Sequence, residues 1–102
     1  MTDKIVVFST ADSEEQARLL AYGLVERKLA ACVSILPGAT SVYRWKDKIE
    51  ATAEWTLIIK SSLELFPALE AELRRLHTYE VPECIAVPIV AGSADYLAWL
   101  SR

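Results

Sequence analysis

The sequence predicts an α+β fold: an antiparallel sheet with two helices on one face, one very long β-hairpin and a short extra helix at the end. Three observations predict it. Short β-branched runs alternate with helical apolar stripes in the order βαββαβ. One strand keeps a clean two-residue alternation over twelve residues, Ile49 to Lys60. And 102 residues are enough for a single domain, spanning 1–102, and no more.

Ile5-Val6-Val7-Phe8, bounded by polar residues, reads as a buried strand. Ser13 and Gln16 have capping-box spacing, with Glu14 and Glu15 in the first turn, where the helix dipole favours acids. Ala17, Leu20, Ala21, Leu24 and Val25 then form one helical stripe, closed by Arg27 and Lys28. Ala30 to Leu36 is a second strand. Pro37-Gly38 interrupts it, and it resumes from Ser41 to Trp45.

Lys46-Asp47-Lys48 forms a polar tip. On the return strand Ile49, Ala51, Ala53, Trp55, Leu57 and Ile59 share one face, opposite Glu50, Thr52, Glu54, Thr56 and Lys60. Phe66, Leu69, Leu73 and Leu76 mark a second helix, in which Pro67 belongs to the first turn. Cys84 to Val90 is the fourth strand, its Pro88 pointing to an edge or a bulge. After Gly92-Ser93, Tyr96, Leu97, Trp99 and Leu100 mark the last helix. This order is the split-βαβ, ferredoxin-like βαββαβ sandwich. It leaves the second face of the sheet bare.

Composition narrows the function. An apolar share of 53% with 25% charged residues is that of a globular domain. No apolar run approaches the roughly 20 residues that span a bilayer, and the start of the chain lacks a signal-peptide pattern. Cys32 and Cys84 lie far apart in apolar strands, without C-x-x-C spacing, which suits core positions and a reducing, cytoplasmic setting. A net charge of −3 gains nothing from phosphate backbones, so nucleic acid is not an expected partner.

Twelve residues at about 3.4 Å each reach roughly 40 Å. A compact chain of this length is a sphere only about 33 Å across. The hairpin should therefore project beyond its own domain, carrying Tyr43, Trp45 and Trp55. Such aromatics, beside a bare sheet face, call for a covering copy of the chain.

Four segments carry a resemblance: Leu29-Ala30-Ala31-Cys32-Val33; Leu36 through Trp45; Leu76-His77 with Tyr79-Glu80-Val81-Pro82-Glu83; and Asp95-Tyr96-Leu97-Ala98-Trp99-Leu100. In order and over nearly the whole chain, they resemble signatures of the CutA divalent-cation-tolerance family. The resemblance implies a PII-like homotrimer with hairpins pairing between subunits, and a role in tolerance of or response to divalent metal ions such as copper. The ligand positions suggested in that family, a thiol after the first strand and two adjacent histidines, fall here on Ser9, Leu76 and His77. Only His77 keeps a ligating side chain.

His77 is the sole histidine, so one chain cannot supply a two-histidine metal site. It is read either as a weak divalent-metal contact or as a residue ending the helix, where imidazole suits the C-terminal dipole. Tyr79, Glu80 and Glu83, on a loop stiffened by Val81-Pro82, together with Tyr43, Trp45, Glu54 and Lys60, are expected to line an inter-subunit cleft or to serve as interface packing. No catalytic triad, phosphate-binding loop or dinucleotide fingerprint is present, so the chain is not expected to be an enzyme and no cofactor beyond a divalent metal is expected. The leading expectation is a homotrimeric metal-tolerance protein. The alternative is a PII-like signalling or interaction trimer holding a small ligand in the cleft.

Overall fold

In the computed structural model, which describes residues 2–101, the chain runs β1 (Lys4–Ala11), α1 (Glu14–Glu26), β2 (Cys32–Trp45), β3 (Lys48–Ser62), α2 (Phe66–Leu76), β4 (Ile85–Pro88) and α3 (Ala94–Leu100). Every strand pair is antiparallel and the sheet order is β2-β3-β1-β4. The α+β, ferredoxin-like arrangement expected from the element order is the one adopted.

Helix α1 starts as its sequence dictates: the Ser13 hydroxyl accepts the Gln16 N–H at 3.0 Å, satisfying one free amide of the first turn. Ala17, Leu20, Ala21 and Leu24 are buried. Val25, the fifth member of the expected stripe, is 42% exposed, and Gln16 is buried in its stead, its Nε2 donating to the Leu76 carbonyl at 3.1 Å. That bond ties α1 to the end of α2. The two helices approach closely at Gly23, where a Cβ would stand only 2.7 Å from Cδ1 of Leu76. Pro67 takes the first turn of α2, and Leu69 and Leu73 are fully buried. With Leu20 and Leu24 they pack against Val7 of β1 and Leu57 and Ile59 of β3, the centre of the core.

All four strands differ in extent from the sequence expectation: β2 is one strand from Cys32 to Trp45, and β3 reaches Lys48 and Ser62. Strand β1 extends through Ala11, because Ser9, Thr10 and Ala11 keep pairing with Leu57, Thr56 and Trp55. Strand β4 is shorter, at Ile85–Pro88, and lies on the sheet edge, where Pro88 costs no ladder bond to a further strand.

Where the sequence suggested an interruption at Pro37-Gly38, strand β2 runs on with a bulge. Its register shifts between Leu36 and Ala39, and Gly38 adopts φ 91°, a conformation that side-chain-bearing residues avoid. A two-residue turn closes the tip, Lys46 and Asp47 having φ 51° and 67°. The molecule measures 45 × 25 × 23 Å, its long dimension exceeding that of a compact sphere of this chain length. The apolar face of β3 is covered only at its base. Leu57 and Ile59 are buried, whereas Ile49, beyond the helices, is 67% exposed, as is Val42 (68%) on the paired strand. On the sheet face away from the core, Leu36, Ile85 and Val87 are also exposed.

Candidate functional site

The site grows from the turn after α2. The His77 N–H closes that helix on the Leu73 carbonyl at 2.9 Å, and its extended backbone then turns the chain away. Both ring nitrogens are engaged. Nε2 lies 2.7 Å from the Thr10 carbonyl oxygen, and Nδ1 accepts the Tyr79 N–H at 3.1 Å. A carbonyl can only accept, so Nε2 carries the proton. The imidazole also packs on the Tyr79 ring, with centroids 4.6 Å apart. His77 thus pins the loop to the end of β1.

Tyr79 carries the loop across to the hairpin. Its hydroxyl donates to Glu54 Oε2 at 2.5 Å, and Glu54 is only 6% exposed. Burial raises the Tyr79 hydroxyl pKa above its ordinary value, and the neighbouring Glu54 adds to the shift. Glu54 sits opposite Ala39, the first paired residue past the bulge. The bulge sets which residues of β2 face it.

These contacts enclose a cleft of about 280 Å³. Tyr43 and Trp45 line it from β2, Glu54 from β3, and Tyr79, Glu80 and Glu83 from the loop. The structure brings together within one chain these six residues, which the sequence grouped as lining an inter-subunit cleft. Lys60 does not join them within the chain. It stands six residues beyond Glu54 on the same strand, about 20 Å away, and its Nζ lies 3.5 Å from the Tyr96 hydroxyl and 5.8 Å from that ring's centroid. Thr10 and Val81 also line the cleft and were missed. The continuing alternation of β1 was the available signal for Thr10, and the stiff Val81-Pro82 pair for Val81.

The residues at the family's suggested ligand positions do not make a metal centre. Ser9 is fully buried with its hydroxyl unpartnered, Leu76 offers no donor, and a metal at His77 would have to displace the Thr10 carbonyl or the Tyr79 amide. Among the described residues no three His, Cys, Asp or Glu side chains converge for metal binding. Cys32 and Cys84 are unpaired, and burial pushes the Cys84 thiol up to about 11, away from the thiolate that a metal requires. No described helix is long and apolar enough to cross a membrane.

Comparison with known proteins follows the same lines. Residues 5–102 match the family described as CutA1 divalent ion tolerance protein. The divalent-cation tolerance protein CutA of Thermus thermophilus is 47% identical over 93% of this chain and 92% of its own length. That of Pectobacterium atrosepticum is 41% identical over 99% and 92%. The crystal structure of CutA from Xylella fastidiosa superposes with a TM-score of 0.96, at 42% identity, over 98% of this chain and 96% of that one. Fold, hairpin and loop together with these matches lead to one conclusion: the chain belongs to the CutA1 divalent ion tolerance family.

Proposed function

We propose that the chain acts as a homotrimer in divalent-cation tolerance, without a catalytic step, and that its working site is the cleft between the hairpin and the α2–β4 loop. The observation that carries this reading is the hairpin itself. It projects past the helices with Val42, Tyr43, Trp45 and Ile49 all at least 40% exposed. Apolar surface of that kind is stabilised by a second copy of the chain. The cleft opens beside this arm, so a neighbour that covered the arm would also border the cleft. Two unpaired cysteines support a reducing, cytoplasmic setting.

Contact with a divalent metal such as copper is secondary in this scheme and weak, because His77 must surrender a hydrogen bond to make it. Light scattering at micromolar concentration should report three times the 11.4 kDa chain mass. A particle of one chain mass would end the proposal. Copper titrations of the wild type and of His77→Ala in chelator-cleaned buffer test the secondary contact: equal binding by both would remove it.

The same cleft favours a second reading, a PII-like signalling or interaction trimer in which a small ligand, and not the metal, is what the site recognises. A thermal-shift screen separates the two, since a ligand raises the melting point by mass action.

A further inference from the structure

The cleft is walled by aromatic rings and carboxylates, and no lysine or arginine lines it. Glu54 is the telling group. It is 94% buried by residue area, and its Oε2 accepts from the Tyr79 hydroxyl; Oε1 has no hydrogen-bond partner among the described residues and is not sealed from solvent. A carboxylate oxygen left open at a cavity wall can accept from a ligand's N–H or O–H donor. Glu80 and Glu83 add negative charge from the loop, while Tyr43, Trp45 and Tyr79 present ring faces and edges. Rings attract cations through their quadrupoles, and carboxylates do so through charge.

A bare metal ion fits poorly, since it needs several oxygens drawn within about 2.5 Å of one point, and the carboxylates here do not converge on one. A quaternary ammonium would satisfy the rings but has no proton for Glu54. A cation with N–H donors satisfies both. We infer that the cleft binds a small primary ammonium ion, the N–H donors reaching Glu54 Oε1 and the attached carbons lying on the aromatic walls. This inference rests on the cleft being the working site of the assembled protein.

The test uses the purified full chain and 1,4-diaminobutane, titrated by calorimetry beside the neutral isostere 1,4-butanediol and tetramethylammonium chloride. Light scattering is recorded on the same samples. The diamine should bind saturably. Glu54→Gln, which still accepts the Tyr79 hydroxyl, and Glu83→Gln should each weaken binding by about tenfold or more. The diol should give no saturable heat and tetramethylammonium should bind more weakly than the diamine. Absent diamine binding, equal binding of the diol, equal or tighter tetramethylammonium binding, or unchanged affinity in Glu54→Gln would overturn the inference. If the sample is assembled but fails these criteria, only the ligand class falls. If it is a single chain, the proposed function falls with it.

Discussion

The Tyr79 hydroxyl stands 2.5 Å from Glu54 Oε2, joining the loop after α2 to the middle of the hairpin. Tyr79→Phe removes the donor and leaves a buried carboxylate with no partner. The expected loss is about 1–3 kcal/mol of stability, read as a lower urea midpoint at unchanged slope. Glu54→Gln, which retains an acceptor for the hydroxyl, should lose less than Tyr79→Phe. The reverse order would show that this bond does not fasten the loop.

Alkaline pH should weaken the fold. The Tyr79 hydroxyl and the Cys84 thiol both have folded pKa values above their ordinary 10.0 and 9.0, so the folded chain keeps protons that the unfolded chain releases. Their contribution is therefore fully present below about pH 9 and is lost as pH rises, through about 11 for Cys84. Urea midpoints measured from pH 8 to 11 should fall along that limb. The double variant Tyr79→Phe, Cys84→Ala should show a shallower fall, and an unchanged slope would refute the assignment.

Ser9 should be a costly residue. Its hydroxyl is fully buried and unpartnered, a burden of about 1 kcal/mol or more. Ser9→Ala should consequently raise stability by roughly 1 kcal/mol in chemical denaturation. A loss of stability instead would mean that the hydroxyl has a partner.

The hairpin tip offers another handle. Lys46 and Asp47 both hold positive φ, which costs a side-chain-bearing residue about 1 kcal/mol. Asn-Gly is the pair best suited to such a turn. Lys46→Asn with Asp47→Gly should raise the melting temperature by a few degrees, and a decrease would count against a turn of this type.

Where two independent signals coincide, the sequence is readable. Helix α1 has both a cap and an apolar stripe, and its start lies where Ser13 places it. A disturbance at Pro37-Gly38 was legible, although it proved to be a bulge in a continuous strand and not a break. Glu54 was not legible as a buried residue, because strand alternation assigns it to solvent and its cover comes from Tyr79, 25 residues further on. His77 was visible as a helix end, but its carbonyl partner, Thr10, lies 67 residues away and carries no local mark. Lys60 was grouped with the cleft from its charge alone. Six residues of the same strand, about 20 Å, separate it from Glu54 within one chain, a spacing the sequence already carried.

Strand β2 lies outermost in the sheet, so along Cys32–Trp45 alternate amides and carbonyls point where no strand of this chain reaches them. Fourteen residues of open ladder, with Pro37 alone lacking a donor, make a sticky border. In the proposed trimer neighbouring copies would meet this border, so dilution should not yield a tidy population of single subunits. Variants that cannot satisfy this border through their proper neighbours should disappear into precipitate, so the soluble fraction itself becomes a gauge of correct association.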